Sequence, residues 1–174
     1  VNKMVQLRVS ALRSVDLGVT DVAANAEFYS AIWQLERVGD ENGAVYLRGT
    51  GPAHHILALH EARTAAILKV TFQALDGQTI DALHARAKGL GVDGLEEPGA
   101  VHEPGGGYGF EFSDREGRLL RVVTDDEVHP EATDTADHPT KLSHAVFNSA
   151  EVEDATRYYS DVLGFKLSDR TRIM

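Results

Sequence analysis

The stretch KLSHAVFNSAEVEDATRYYSDVLGFKL (residues 141–167) decides the fold, because it repeats an earlier part of the chain. It aligns without a gap on ALRSVDLGVTDVAANAEFYSAIWQLER (residues 11–37), at a constant offset in residue number (141 − 11 = 130). One difference bears on chemistry: Ser14 in the first copy corresponds to His144 in the second. A repeat of this kind indicates that one structural unit is used more than once.

The first copy predicts a strand that leads into a helix. Apolar and polar residues alternate over residues 12–20, which is typical of a half-buried strand. Asp21 can cap a helix whose apolar side chains recur at helical spacing from Val22 onward. Three further strands are predicted near residues 35–38, 44–49 and 55–61, with a turn at ENG and another at Gly-Pro. The order is therefore strand, helix and three strands, a βαβββ unit.

A second unit of the same order follows directly. Its opening strand AILKVTFQAL (66–75) aligns on the first strand at another constant offset (70 − 15 = 55), which places Asp76 on Asp21. A helix ends at Gly91, and strands are predicted near 99–101, 107–114 and 118–123. The third unit has a predicted strand over 142–149, a helix from near Glu151 and the start of a strand at Phe165, and is incomplete.

These units predict an α+β protein with a domain boundary in its acidic segment. Residues 1–124 form an N-terminal, non-catalytic domain of two units, at about 12–62 and 66–124. The segment DDEVHPEATDTADHP has six acidic residues and neither Lys nor Arg, so we interpret 125–140 as a solvated linker. Residues 141–174 then begin a second domain. Its half unit cannot bury its own sheet face, so we expect it either to pack against a neighbour or to be loosely held.

Composition excludes several classes of partner. The formal net charge is −10, and an acidic surface repels phosphate backbones, so nucleic-acid binding is disfavoured. No apolar run reaches the ~20 residues of a membrane span, and no secretory signal opens the chain, so we expect no membrane partner. The chain has no cysteine, which rules out thiolate metal sites and agrees with a cytoplasmic location.

Three motifs give the chain a family resemblance. They are FYSAIWQL (28–35), YYSDVLGF (158–165) and the strand–turn–strand GYGFEFSDREGRLLRVV (107–123). Together with the βαβββ repeat, they resemble the vicinal oxygen chelate superfamily, the glyoxalase and bleomycin-resistance fold. Within it, the chain is most similar to type I extradiol ring-cleavage dioxygenases. The resemblance implies tandem units that form half-open barrels, two units in a non-catalytic domain and two in a catalytic one.

The resemblance also implies a metal site that begins at His144. This residue matches the family's first metal ligand, and imidazole suits Fe(II) or, alternatively, Mn(II). The other two ligands, a His and a Glu, would lie beyond Met174, as would the catalytic residues. The equivalent slots of the first two units hold Ser14 and Lys69, and Arg121 stands where an acid is expected, so these two units are predicted to bind no metal.

The implied activity is extradiol cleavage of a catechol-type aromatic with dioxygen, in aromatic compound catabolism, through non-haem iron and no organic cofactor. The 174-residue portion is expected to be inactive alone, and the protein is expected to form a homo-oligomer. Two alternatives keep the same fold. One is a metal-free module that sequesters a flat ligand, as bleomycin-resistance proteins do, and the other is a glyoxalase-like isomerase or lyase.

Other candidate site residues are interpreted as structural. On an extended strand His54 and His60 would share one face, and His55 and Glu61 the other, too far apart to chelate one ion unaided. Although Glu61 lies near a strand end, it faces Ser14, so we predict no site there.

The remaining motifs are assigned as follows. His84 and His102 are predicted at the surface, as are Glu111 and Asp114. PGGGYG (104–109) lacks the Lys-Ser/Thr of a phosphate-binding loop and predicts a glycine-rich hairpin or rim loop. The helix aromatics Tyr29, Trp33, Tyr158 and Tyr159 are predicted in the core.

Overall fold

The computed structural model describes residues 7–130, 133 and 135–170. The parts of the predicted domains and linker at 1–6, 131, 132, 134 and 171–174 lie outside the described residues. The elements in chain order are β1 (Ala11–Val19), α1 (Val22–Ala31), β2 (Glu36–Glu41), β3 (Ala44–Arg48), β4 (Leu57–Glu61), β5 (Ala66–Gln73), α2 (Gly77–Gly89), β6 (Gly99–Ala100), β7 (Tyr108–Ser113), β8 (Leu119–Thr124) and α3 (Val152–Leu163).

The first two units share one open, eight-stranded sheet of order β2-β3-β4-β1-β5-β8-β7-β6. Each unit contributes four strands, and the two sets meet at the antiparallel pair β1 and β5. Val15 lies opposite Val70, as expected if the offset between the first two units describes a two-fold relation about this pair. The predicted α+β fold of tandem βαβββ units is confirmed.

The three helices begin at equivalent positions of the repeat. α1 begins at Val22, α2 at Gly77 and α3 at Val152, which reproduces both sequence offsets (77 − 22 = 55; 152 − 22 = 130). The side chains of Asp21 and Asp76 each accept a hydrogen bond from the backbone N–H three residues later, at 2.9 Å. These N-caps satisfy a free donor of the first turn and so fix where each helix starts.

Both α1 and α2 pack on the same face of the sheet. Val15 contacts the apolar cluster under α2, whereas Leu17 and Val19 on the same face of β1 belong to the cluster under α1. Phe110, Phe112 and Leu83 lie in the larger of these cores. The opposite side of the sheet, which we call the polar face, is therefore not covered by helices of the first two units.

The third unit differs from its prediction. Residues 142–149 do not form a strand, and neither do the described residues after Phe165. A strand requires a neighbour for its backbone N–H and C=O groups, and none of the described strands pairs with this segment. The segment is held instead by the turn between β7 and β8, where Arg118 stacks on the Phe147 ring, its guanidinium carbon 5.2 Å from the ring centroid.

Helix α3 is nevertheless packed against the second unit, as expected for half a unit. Tyr158, Val162 and Leu163 are buried in the core under α2. The Tyr158 hydroxyl donates to the Ser113 carbonyl at 2.9 Å, and Arg86 of α2 donates to the Val162 carbonyl at 2.8 Å. The second unit thus supplies the apolar contacts that α3 lacks within its own unit.

Two predicted burial assignments in or next to the helices are wrong. Trp33 was expected in the core but is 53% exposed, because α1 ends at Ala31 and helical spacing no longer applies beyond it. His84 was expected at the surface but is 7% exposed, since the inner face of α2 stacks its ring edge-on against Phe110. No helix in the described part of the chain has the length and apolar character needed to cross a bilayer.

Candidate functional site

The polar face of the sheet collects buried charged residues from its central strands. Arg13, Ser14 and Asp16 come from β1, and Lys69 and Thr71 from β5, and all five are at most 7% exposed. Their neighbours along each strand, such as Val15 and Val70, point to the helices. Strand alternation places Ser14 and Asp16 of β1, and Lys69 and Thr71 of β5, on the polar face, whereas Arg13 lies at the irregularity in register between Leu12 and Ser14. Burial there requires ionic or hydrogen-bond partners.

Six side chains of the polar face form an ion-pair row across the strands, in which basic side chains alternate with carboxylates. His60 of β4 contacts Asp16 at 2.9 Å, and Asp16 lies 3.4 Å from the Lys69 ammonium. Lys69 also contacts Glu103 at 2.7 Å, and Glu103 receives Arg121 of β8 at 2.8 Å. Arg121 in turn pairs with Glu111 of β7. The ion-pair row therefore joins both units through β1 and β5.

Glu103 lies at the centre of the row, although it is not on a strand. It precedes Pro104 and three glycines, Gly105, Gly106 and Gly107, all with positive φ (92°, 55° and 108°). Glycine reaches this region without steric cost, so the chain turns back tightly enough to bring Glu103 over the sheet. The glycine-rich segment is thus a loop followed by a strand, as predicted, and its effect is to position a carboxylate.

The same contacts set the ionisation of Glu103. Burial by itself would raise its pKa, but hydrogen bonds from Arg121 and Lys69 outweigh that effect and lower the pKa from 4.5 to about 2. Tyr46, which lies on the same face, has its pKa raised to about 12 by burial and by the nearby Glu103 and Asp16 carboxylates. At neutral pH Glu103 is therefore ionised and Tyr46 is neutral.

A second group surrounds Arg13. Its guanidinium pairs with Asp126 at 2.9 Å, and its Nη1 donates to His55 Nε2 at 2.9 Å. The same Nη1 lies 3.3 Å from His55 Nδ1, and because arginine has only donors, the His55 ring is the acceptor of this pair. His55 Nδ1 also lies 3.0 Å from His54 Nδ1. Burial, reinforced by Arg13, lowers the pKa of His55 to about 2, so this imidazole is neutral.

The residues of the first two units that stand where metal ligands are expected, Ser14, Lys69 and Arg121, do not suit a divalent metal. The slots equivalent to His144 hold the Ser14 hydroxyl, which accepts a hydrogen bond from Arg13, and the Lys69 ammonium, which is already paired. Arg121 is likewise engaged by two carboxylates. Throughout the residues described, no group of three His, Cys, Asp or Glu side chains is arranged to hold a metal ion. Glu61 is exposed and lies on the same face of β4 as Leu57 and Leu59, which is the helix side of the sheet and not the side of Ser14.

His144, the predicted metal ligand, lies apart from this face. It is exposed in the segment before α3, with its Nδ1 2.9 Å from the Ser143 hydroxyl. It lines a mainly apolar cavity of about 550 Å³ between that segment, α3 and the sheet, together with Phe72, Phe147 and Phe165. The ligand role of His144 stays a prediction.

Several other predictions about site residues are corrected. His55 and His60 were assigned to opposite faces, but both rings pack edge-on against Tyr46, with centroids 4.9 and 6.4 Å away. The reason is that β4 begins only at Leu57, so strand alternation does not extend back to His55.

Asp114 and Asp126 are also more enclosed than predicted. Asp114 was expected at the surface but is 5% exposed, where it accepts hydrogen bonds from the backbone of its own turn, from Arg118 and from Tyr159. Asp126 lies in the predicted solvated linker, yet its side chain is 8% exposed against Arg13. Backbone bonds from Thr50 to Pro139 and from Gly51 to Thr140 also tie the described part of that segment to the first unit.

Sequence reasoning missed three carboxylates of the polar face: Asp16, Glu103 and Asp126. Asp16 carried a usable signal, since an acid in an alternating strand that is buried on both faces requires a cationic partner. Glu103 and Asp126 had no such signal, because their roles depend on where a loop and the segment after β8 cross the sheet.

The fold of the first two units agrees with a family match in the sequence. Residues 11–122 match the family described as Glyoxalase/Bleomycin resistance protein/Dioxygenase superfamily. The chain therefore belongs to this superfamily, and the predicted resemblance is confirmed. A comparison with functionally curated proteins found no match.

Solved structures of the same fold include a glyoxalase and dioxygenases, the two enzyme types in the description of the superfamily. A Mn(II)-bound glyoxalase from Novosphingobium aromaticivorans is 34% identical, with a TM-score of 0.85 over 91% of this chain and 54% of its own. Homoprotocatechuate 2,3-dioxygenase from Arthrobacter globiformis is 24% identical, with a TM-score of 0.77 over 92% and 51%. The 2,3-dioxygenase LapB from Pseudomonas sp. KL28 is 20% identical, with a TM-score of 0.76 over 90% and 59%. The chain thus spans little more than half the length of these proteins, and the two dioxygenases establish similarity of fold alone.

Proposed function

We propose that this chain is the metal-free N-terminal domain and the opening of the catalytic domain of an extradiol dioxygenase that cleaves catechol-type aromatics. One observation carries the proposal: of the three equivalent slots, Ser14 and Lys69 are held in hydrogen bonds and ion pairs, whereas His144 is an accessible imidazole. In this proposal residues 1–124 are the scaffold, 125–140 the connection, and residues from 141 onward begin the metal-binding domain.

The proposed cofactor is Fe(II), with Mn(II) as the alternative, and His144 is proposed as one of its ligands. The proposed substrates are a small aromatic diol and dioxygen, and a homo-oligomer is the proposed assembly. The fold of the described residues, shared with two 2,3-dioxygenases at identities of 20% and 24%, is compatible with this class of reaction.

A glyoxalase-like lyase or isomerase is the second candidate. The observation in its favour is the higher identity, 34%, to a protein described as a Mn(II)-bound glyoxalase. Both candidates use the same scaffold and one divalent metal, so the described part of the chain serves either.

The deciding experiment uses the full-length protein loaded in turn with Fe(II) and Mn(II). Oxygen consumption that depends on an added catechol, with formation of a yellow ring-opened product, is the expected result. Turnover of a hemithioacetal under nitrogen, without oxygen uptake on catechol, would replace the proposal with the lyase. Binding of a flat aromatic that survives a chelator, with neither activity, would instead indicate the metal-free sequestering module.

A further inference from the structure

The surroundings of Lys69 resemble those of a bound cation. Its ammonium has the Glu103 carboxylate at 2.7 and 2.9 Å and the Asp16 carboxylate at 3.4 Å. His60 Nε2 lies 2.9 Å from the same Asp16 oxygen. The Lys69 side chain is 8% exposed, so its charge is almost wholly balanced by these groups rather than by water.

The position of Lys69 in the repeat makes these contacts informative. The two sequence offsets place Lys69, Ser14 and His144 at one equivalent position (69 − 55 = 14; 144 − 130 = 14). The pairing of β1 with β5 agrees with the offset between the first two units. Asp16 lies opposite Lys69 and Thr71 lies opposite Ser14, and the offset converts one of these pairs into the other. In the second unit this position therefore projects a permanent positive charge toward carboxylates from β1 and the Glu103 loop.

We infer that the Lys69 ammonium is a built-in cation that occupies the place of a divalent metal between the first two units. Removal of this ammonium would leave the Asp16 carboxylate beside the His60 imidazole, and the Glu103 carboxylate paired with Arg121 alone. Carboxylate and imidazole donors together suit Mn(II). Since metal–oxygen bonds are about 2.0–2.6 Å long, Asp16 and the Glu103 loop would have to close in only by about 1 Å. The inference does not depend on which reaction the complete protein catalyses.

The test is thermal unfolding of the 174-residue chain and its Lys69→Ala variant, with and without millimolar Mn²⁺. In the absence of metal, the variant should unfold about 10 °C lower, because Asp16 loses its lysine partner and Glu103 keeps only Arg121. Mn²⁺ should restore at least half of that loss in the variant and change the melting temperature of the wild type by less than about 1 °C. If the alanine variant does not fold without metal, Mn²⁺ should restore a cooperative transition.

Three matched variants separate this effect from other causes. Lys69→Met keeps the volume of the side chain and leaves no room for an ion, so it should lose stability without responding to Mn²⁺. Adding His60→Ala to Lys69→Ala should abolish the response, which also excludes His144 as the metal ligand. Lys88→Ala removes a lysine whose side chain is 65% exposed and should change neither stability nor metal response.

Several outcomes would overturn the inference. One is a Lys69→Ala variant as stable as the wild type, and another is an alanine variant that Mn²⁺ fails to stabilise or refold. A third is an equal response to Mn²⁺ in the wild type, in Lys69→Met or in the double variant. Each would mean that Lys69 is an ordinary buried ion pair and that no metal can take its place.

Discussion

At the scale of single residues, His55 links the stability of the protein to pH. Its pKa falls from 6.5 to about 2 in the folded state, because burial and the Arg13 guanidinium oppose a second positive charge. Since the unfolded chain binds a proton more readily below pH 6.5, the free energy of unfolding decreases as pH falls below that value. The slope from one such group approaches about 1.4 kcal/mol per pH unit.

We therefore predict that His55→Gln flattens the pH dependence of stability between about pH 6.5 and 5. Urea titrations at several pH values would measure it. The flattening should be incomplete, because burial also lowers the pKa of His54. An unchanged slope in the variant would contradict the buried, neutral state of His55.

Glu103 affects the stability of the protein over a separate and more acidic pH range than His55. Its pKa is lowered from 4.5 to about 2, so its contribution to stability is complete above about pH 4.5 and is lost as pH falls through about 2. Glu103→Gln should cost about 1–2 kcal/mol at pH 7, less than a fully buried pair because the Glu103 side chain is 41% exposed. Chemical unfolding of wild type and variant at pH 7 and pH 3 should show the difference shrinking at the lower pH. A difference equal at both values would mean that the carboxylate charge is not what stabilises the loop.

At the scale of elements, Asp114 adds a buried polar attachment of α3 to the second unit, beside the apolar contacts of Tyr158, Val162 and Leu163. This buried carboxylate accepts hydrogen bonds from the Glu116 and Arg118 N–H groups of its turn, and from the Tyr159 hydroxyl of α3 at 2.7 Å. These bonds outweigh burial and lower its pKa, so the ionised form is the one that holds the helix.

Asp114→Asn should lower the free energy of unfolding by about 3 kcal/mol and release α3 first. Hydrogen exchange of the α3 amides should rise more than that of β5 or β8. Asp154→Asn is the matched control, because its salt bridge to Arg115 is largely exposed and worth at most about 1 kcal/mol. Equal losses in the two variants would mean that Asp114 does not anchor the helix.

The glycine-rich loop is an element whose conformation depends on residue type. Gly107 has φ of 108°, and a Cβ there would lie 2.7 Å from the Thr124 carbonyl oxygen. Gly107→Ala should therefore destabilise the protein by about 2 kcal/mol or more and displace Glu103. Gly99→Ala should change stability by less than about 1 kcal/mol, because a Cβ at Gly99 meets nothing within 4 Å. Thermal unfolding of both variants measures the difference in stability. Similar melting temperatures would contradict the requirement for glycine at position 107.

At the scale of the whole molecule, the first two units of the repeat form the scaffold, and the third unit carries the proposed metal ligand. Two units share one sheet with a buried ion-pair row on its polar face, and the helix of a third unit packs on the second. In the full-length protein His144→Ala should reduce iron affinity at least ten-fold, since one of three proposed ligands is lost. Ser14→Ala should leave iron content unchanged. Metal analysis after dialysis against graded chelator would measure both, and normal iron loading of His144→Ala would exclude the ligand role.

Most of the fold followed from the sequence, whereas most of the polar face did not. The helix starts at Val22, Gly77 and Val152 follow from capping residues and from two constant offsets, which are local signals. By contrast, the strand predicted at 142–149 has the right alternation but no neighbouring strand among the described ones, and alternation alone cannot supply one.

The sequence by itself determined the βαβββ order, the two helix N-caps and the identity of the three equivalent slots, because each is written in residue types at fixed spacing. Only the tertiary structure decided that Lys69 is paired with Asp16 and Glu103, that Arg13 reaches Asp126 and that His55 is neutral. These partners lie far apart along the chain, as Lys69 and Glu103 or Arg13 and Asp126 do, or on strands that only folding brings side by side. Electrostatic balance in a buried site depends on distances through space, which residue spacing along a chain does not fix.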